Sequence, residues 1–461
     1  NFGRNLNTMR VHFIAIGGSA MHNLAIALCK KGDIVSGSDD EIFEPSKSRL
    51  ATYNLLPETQ GWDASRIGPS LDAVIVGMHA KADNPELCKA REMGIKIFSY
   101  PEYLYEQSKN KKRIVIGGSH GKTTITAMIL HVLHHAEMDC DYMVGAQLEG
   151  FDVMVRLTEN APVMVIEGDE YLTSPIDLRP KFHLYKPDIA LLSGIAWDHI
   201  NVFPTFEQYV DQFVIFINQI SSKGCLIYCM EDEQLQRICP ASRSDIEIIP
   251  YETPGYEIRN GVTFVVSGCN NYPLQIFGRH NLLNLSGARL ICHQLGISDE
   301  VFFQAIQSFK GASKRLELIA KNDTRAVYKD FAHAPSKVKA TLQAVREQFP
   351  GRKVIACLEL HTYSSLNKEF LWQYRGTLDP ADSALVYFNP HALQIKRLPE
   401  ITAAVVVEGF RKPGMEVFTV SGLLEERLLQ EKGTGSVLLM MSSGNYDGID
   451  LKEFSTRWVN Q

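Results

Sequence analysis

Apolar runs alternate with stretches of helical spacing over the first hundred residues. Val11-His12-Phe13-Ile14-Ala15-Ile16, Asp33 through Asp39, Leu71 through Gly77 and Ile95 through Phe98 read as strands. Gly17-Gly18-Ser19-Ala20-Met21 turns into a helix that continues through Leu28. Strands alternating with helices predict a parallel, doubly wound sheet, with ligands at the carboxyl ends of its strands. The Gly17-Gly18 turn is a weak dinucleotide-like signal, equally readable as a tight turn.

A polar patch, Gln107 through Arg113, closes this region and reads as a solvated linker. A second α/β pattern then begins. Arg113-Ile114-Val115-Ile116 feeds Gly117-Gly118-Ser119-His120-Gly121-Lys122-Thr123-Thr124, and a helix follows from Ile125. Strand, glycine turn and helix with Lys-Thr at its start form a phosphate cradle. Backbone N–H groups and the helix N-terminus face the anion, and the lysine adds a full charge. The threonine hydroxyl is placed to ligate Mg²⁺. The usual early glycine is missing, because Ile116 stands there, so the loop effectively starts at Gly118.

Further strands end in polar residues. Ala161 through Ile166 ends in Glu167-Gly168-Asp169-Glu170, carboxylates suited to Mg²⁺. Ile189 through Ile195 leads to Trp197-Asp198-His199, whose histidine suits either the same metal or a structural role. Asn281 and Asn284 lie one turn apart at the start of a long helix, which suits a purine edge and equally a helix cap. His131 and His135 share a helix face that reads as solvent-facing, without acidic or cysteine partners at metal-ligand spacing.

Gly311-Ala312-Ser313 marks a boundary, and a third region follows. Arg325–Lys329, Val354–Leu358, Ala384–Phe388, Ala403–Val407 and Val437–Met441 are its strand candidates. Three of them carry polar tips, Asp330 through Pro335, Glu359 through Tyr363 and Ser442 through Asn445, which predict a binding face.

The length of 461 residues fits about three domains at roughly 150 residues each. The expected boundaries are 1–109, 110–312 and 313–461. A net charge of −6 gives no electrostatic case for nucleic acid. Nine scattered cysteines without a CxxC read as reduced thiols, and so as a cytoplasmic chain. Cys225 and Cys229 read as one core face of a strand rather than a metal site. No signal peptide is visible, Met9 suits a natural start, and the apolar runs are too short to cross a bilayer.

Taken in order, these motifs resemble the Mur ligase family, the ATP-dependent amino-acid and peptide ligases of bacterial cell-wall synthesis. The resemblance runs from about residue 10 to residue 450. It implies an α/β protein of three domains. A Rossmann-like UDP-sugar domain comes first, then an ATPase domain with a mostly parallel sheet, then a second Rossmann-like domain closing over the nucleotide. Gly118-Ser119-His120-Gly121-Lys122-Thr123-Thr124 is similar to the family's short ATP loop. By resemblance Thr123, Glu167 and His199 hold Mg²⁺, Asn281 and Asn284 lie near adenine, and Arg315 reaches phosphates. Lys122, Glu167, His199, Asp330 and His333 are the implied catalytic set, with Asp330 also at the nucleotide. Gly17, Gly18, Ser19, Ser38, Asp39 and His79 are the implied UDP-sugar contacts.

The family's chemistry is amide formation through an acyl phosphate, on the lactyl carboxylate of UDP-N-acetylmuramate. Glu170-Tyr171 with Asp177 through Pro187, and Trp197 through Pro204, resemble the branch that recycles the tripeptide L-alanyl-γ-D-glutamyl-meso-diaminopimelate. The alternative is the branch that adds L-alanine. That branch grips its amino acid with two arginines where this chain has His361-Thr362-Tyr363-Ser364-Ser365. Further departures are Ala15, Ala20 and Asn23 for glycines, and Lys329 and Ala334 for an acid and a histidine. Lys329, Ala334 and Thr362 keep open a third reading, a catalytically weak UDP-sugar- or muropeptide-binding protein. The implied partners are UDP-N-acetylmuramate, ATP, Mg²⁺ and an amino-acid or peptide amine, with neither nucleic acid nor membrane, and the chain a monomer or weak dimer.

Overall fold

A computed structural model describes residues 8–461 except 79, 146–150, 152, 175, 198–201, 313–315 and 432–434. It divides into two compact units, Asn1–Glu252 with Leu285–Phe302, and Thr253–Asn284 with Phe303–Gln461.

Beside a small antiparallel ribbon, Leu172–Ser174 with Asp177–Pro180, the first unit holds two mainly parallel sheets. In the smaller, β1 (Arg10–Ile14), β2 (Ile34–Ser38), β3 (Ala73–Val76) and β4 (Lys96–Ser99) run parallel in the order β2-β1-β3-β4. Helix α1 (Ser19–Lys31) follows β1 and stops at Gly32, whose φ of 104° suits glycine, with Lys30 and Lys31 in the last turn. Helix α2 (Pro85–Glu92) starts at Asn84, whose side chain caps Glu86 and Leu87.

The larger sheet is built from β5 (Lys112–Gly117), β6 (Cys140–Met143), β7 (Val155–Arg156), β8 (Val163–Glu167), β9 (Ile189–Leu192), β10 (Cys225–Cys229) and β11 (Glu247–Tyr251). Its order is β11-β10-β9-β5-β8-β6-β7, parallel except for β7. Ile114, Val115, Ile116, Val165 and Ile166 are fully buried, as expected of strands covered on both faces. Helix α3 (Lys122–His135) follows β5, and α4 (Phe206–Asn218) follows β9.

The patch before β5 is not a solvated linker. Lys111 is buried, with Nζ 2.6 Å from Asp141 Oδ2 and 2.7 Å from the Thr158 carbonyl. Arg113 is buried against Asp188, at 3.3 Å. Only Lys112 of this basic trio is exposed. Buried cations need paired carboxylates, and these come from residues 30 and 75 positions away.

The second unit contains an antiparallel ribbon, β12 (Tyr256–Arg259), β13 (Val262–Ser267) and β14 (Asn270–Leu274). Helix α5 (Arg279–Gln294) begins in it. A six-stranded sheet follows: β15 (Glu317–Lys321), β16 (Arg325–Asp330), β17 (Lys353–Glu359), β18 (Ser383–Tyr387), β19 (Glu416–Phe418) and β20 (Ser436–Met441). The order β15-β16-β20-β17-β18-β19 is parallel apart from β15. Four of the five strand candidates of this region are strands. The fifth is not: Ala403–Phe410 is a helix, α6. The Thr402 side chain caps Val405 N, and Val406 and Phe410 are buried one turn apart while Val407 is exposed. The valine run suggested a strand, but the cap and the 3.6-residue spacing of the buried positions govern.

All nine cysteines are free thiols. Cys225 and Cys229 share a buried strand as expected, and burial pushes them up to about 12 and about 11. Cys269, in the turn between β13 and β14, is exposed. Among the described residues, no helix is long and apolar enough to cross a membrane.

Candidate functional site

The loop between β5 and α3 is shaped by its contact with the end of β9. Gly118 takes φ 122°, and a Cβ there would collide with Ser193 Oγ and sit 2.9 Å from Ser193 N. Ser193 N donates to the Gly117 carbonyl (3.1 Å), and Ser119 N to the Gly194 carbonyl (2.9 Å). The Ser193 hydroxyl donates to the His120 carbonyl. Gly121 caps α3 in the left-handed region, and Lys122 is the first helical residue. His120 Nδ1 lies 2.7 Å from the Ser119 carbonyl, and Thr124 is buried.

Lys122 Nζ donates to the Gly118 carbonyl (2.6 Å) and to Glu170 Oε2 (2.7 Å). Burial opposes its charge, but Glu170, with Asp169 and Glu167 behind it, outweighs this and holds the ammonium above the ordinary lysine range. Asp169 pairs with Lys181 at 2.6 Å. Burial would raise its carboxyl, yet Lys181 and Lys122 hold it below the usual range. The Thr123 hydroxyl donates to Glu167 Oε1 at 2.8 Å, and Gly145 N to Glu167 Oε2 at 2.8 Å. The sheet thus brings together the two candidate metal ligands that lie among the described residues. An alcohol and a carboxylate are oxygen donors of the kind that Mg²⁺ takes. The third, His199, lies outside the described residues, as do Asp198, His79, Lys314 and Arg315.

The Gly17-Gly18 turn is organised differently. Gly17 N donates to Asp39 Oδ2 at 2.7 Å, and Ser38 Oγ donates to the buried Glu86. Ser38 and Asp39, two of the expected UDP-sugar contacts, are themselves buried. Ser38 joins an interior polar cluster in which Glu86 also meets His12 (3.2 Å) and Arg66 (3.4 Å). Gly18 and Ser19 stay accessible at the N-terminus of α1, where no side chain caps the helix. Ala15 takes φ 69°, at a cost of about 1–2 kcal/mol relative to an ordinary backbone.

From the start of α1 a cavity of about 340 Å³ reaches Lys122, Glu167, Asp169 and Lys181. Asn23 and Tyr185 are among its lining residues, and their Oδ1 and Oη atoms are buried without a hydrogen-bond partner among the described residues.

The remaining candidates belong to the second unit. Asn281 and Asn284 are buried in the first turns of α5, and Asn281 Nδ2 donates to the Phe277 carbonyl at 2.9 Å. Asp330 accepts from Leu316 N and Ala332 N, each at 2.7 Å. Its carboxylate thus ties the backbone at Leu316 to the strand tip at Ala332. His333 Nδ1 contacts the Phe331 carbonyl at 2.8 Å. The three polar tips do adjoin, because β20 lies between β16 and β17. Glu359 accepts from Tyr446 N (2.9 Å) and from the Ser442 hydroxyl, with His361 Nδ1 at 3.8 Å. The Thr362 hydroxyl and Ser365 satisfy each other at 2.9 Å, and Ser365 is fully buried.

The sequence reading did not reach Tyr209, Ser193 or the Gly145 amide. Glu170 stood within the acidic motif, but nothing local marked it as the partner of Lys122.

Family models cover most of the chain. "Mur ligase family, catalytic domain" matches residues 10–112, "Mur ligase middle domain" residues 116–292, and "Mur ligase, glutamate ligase domain" residues 314–444. The UDP-N-acetylmuramate–L-alanine ligase of Sulfurihydrogenibium sp. is 30% identical over 95% of both chains. The crystal structure of the UDP-N-acetylmuramate–alanine ligase from Thermotoga maritima superposes with a TM-score of 0.69, at 21% identity, over 98% of each chain. That of the UDP-N-acetylmuramate:L-alanyl-γ-D-glutamyl-meso-diaminopimelate ligase from Neisseria meningitides superposes with a TM-score of 0.59, at 25% identity, over 66% of this chain and 98% of that one.

Proposed function

This chain belongs to the Mur ligase family of ATP-dependent, amide-forming ligases, and we propose that it joins L-alanine to the lactyl carboxylate of UDP-N-acetylmuramate. The carrying observation is the cavity that runs from the α1 N-terminus to Lys122 and Glu167. A sugar nucleotide lying in it would leave its diphosphate at the N-terminus of α1, beside Ser19 and Ala20, where the helix dipole favours anions. Its acid end would face the phosphate loop. The curated relatives named for L-alanine support that amine over the tripeptide expected from the sequence.

The residues then divide the work. The loop amides and Lys122 hold the ATP phosphates and spread the charge of the transferring γ-phosphoryl group. Thr123 and Glu167 are the residues that would hold Mg²⁺, which when bound neutralises charge on those phosphates. The lactyl carboxylate, fixed in line, takes the phosphoryl group and becomes an acyl phosphate while ADP forms. The amine adds to that carbonyl, and phosphate leaves as the amide forms. Asn281, Asn284, Asp330 and His333 remain candidate contacts of the second unit to nucleotide or amine, and Arg315 and His199 complete the proposed set.

A second reading, the tripeptide as amine, rests on one observation. Thr362 and Ser365 occupy each other's hydrogen-bonding groups and offer no guanidinium to an amino-acid carboxylate. Phosphate release with UDP-N-acetylmuramate, ATP and Mg²⁺ decides between them. Release on adding L-alanine is the expected result. Release with the tripeptide alone would replace the amine, and none with either would remove the proposed reaction.

A further inference from the structure

We propose that Tyr209, a core residue of α4, is a positioning residue for the phosphate loop. Its ring is packed like any core aromatic, 5.6 Å from Phe203 and 5.3 Å from Phe213 between centroids. Its hydroxyl is not spent on packing. It lies 2.8 Å from Ser119 Oγ and donates to Glu170 Oε1 at 3.2 Å.

Donor counting fixes the direction of the whole chain of bonds. Tyr209 has one hydroxyl proton, and Glu170, paired with Lys122, takes it. Tyr209 therefore accepts from the Ser119 hydroxyl, and Ser119 Oγ in turn accepts from Ala196 N at 2.9 Å. The sequence runs Ala196 N–H to Ser119 O–H to Tyr209 O–H to the Glu170 carboxylate, which meets the Lys122 ammonium. Each donor polarises the next, and the last acceptor is charged. The chain joins four separate elements: the segment after β9, the loop, α4 and the end of β8. One hydroxyl thereby sets both the placement of the loop's Ser119 and the side of Lys122 that faces Glu170. Lys122 must leave or share Glu170 to reach a phosphate, and Tyr209 then remains to stabilise the buried carboxylate.

The proposal rests on ATP use and not on which amine is joined, so the test reads nucleotide binding directly. Full-length wild type, Tyr209→Phe and Phe213→Leu are titrated with a non-hydrolysable ATP analogue and Mg²⁺ by calorimetry, alongside thermal melts. Tyr209→Phe keeps the ring and removes only the oxygen. Its Kd is expected to rise about tenfold, with a small change in Tm. Phe213→Leu loosens the same helix without touching the chain of bonds, and is expected to lower Tm while leaving Kd within about twofold. An unchanged Kd in Tyr209→Phe overturns the proposal. So does an equal loss of affinity in Phe213→Leu, since packing alone would then account for it. Wild-type protein that fails to bind the analogue would sink the nucleotide reading itself, before any variant is compared.

Discussion

The first unit makes one construction twice, a strand, a glycine turn and a helix, at Ile14–Ser19 and at Gly117–Lys122. In each case the strand lies between neighbours on both sides, β2 and β3 around β1, β9 and β8 around β5. Such crevices at the carboxyl ends of parallel strands are where ligands bind. The chemistry at the two mouths differs. The β5 turn carries Lys122, faces Glu167, Asp169 and Glu170, and bends through a backbone that only glycine takes easily. The β1 turn, Ala15 through Ser19, carries no charged side chain of its own, and Asp39 is buried with its carboxylate accepting from Gly17 N. A glycine turn on a helix is therefore a generic anion seat. The side chain at its last position, and the acids at the end of the adjoining strand, set one of them apart as the proposed place for phosphoryl transfer.

Removing the charged side chain tests this contrast most strongly. Lys122→Ala is expected to lower kcat roughly 10³-fold, read by phosphate release, whereas Ser19→Ala at the matching mouth should raise the KM for the sugar nucleotide only a few-fold. Lys122→Ala with near-normal turnover would erase the distinction. The next contrast is in the backbones. Gly118→Ala should destabilise by about 2–4 kcal/mol in chemical denaturation, from left-handed strain and the collision with Ser193. Gly18 has φ −57° and its nearest would-be neighbour, Met21 Cγ, is 3.4 Å away, so Gly18→Ala should cost less than about 0.5 kcal/mol.

The smallest effect is one of pH, at the β1 turn. His22 Nδ1 lies 2.9 Å from the Gly18 carbonyl. Burial, assisted by Arg49, holds the imidazole below its ordinary value of 6.5, against the Gly18 bond that raises it. As pH falls past 6.5 the unfolded chain takes up this proton before the folded one does. The His22 contribution is thus intact above 6.5 and is lost as pH falls toward the lower folded value. Melts between pH 5 and 8 should show a shallower acid-side decline in His22→Asn than in wild type. Identical slopes would mean that His22 is not held neutral.

What was legible in the sequence was local or carried by a single sheet. The phosphate loop reads directly because its glycines, lysine and threonine are contiguous. Thr123 and Glu167 could be paired across 44 residues because Thr123 opens the helix after β5 and Glu167 ends β8, the parallel neighbour of β5. Tyr209 could not be found in this way. It stands with Val210, Phe213, Phe216 and Ile217 on the buried face of α4, and periodicity describes its ring correctly while saying nothing of its oxygen. Lys111 and Arg113 looked solvated because Asp141 and Asp188, which neutralise them, are distant in sequence. Ala403–Val407 looked like a strand because β-branched composition outweighed a single capping threonine. Ser38 and Asp39 ended a strand in the right place, and only Glu86 and the Gly17 amide reveal that they face inward.

The thiols carry a practical consequence. Alkylating and oxidising agents react with thiolate, and burial raises Cys225 and Cys229 to about 12 and about 11, where almost none forms near neutrality. Cys239, Cys292 and Cys357 are buried and raised further still. Cys269 stands in the open on the tight turn joining β13 to β14. Its sulfur is therefore the natural point of attachment for a fluorophore or spin label, set by the fold and needing no engineered cysteine.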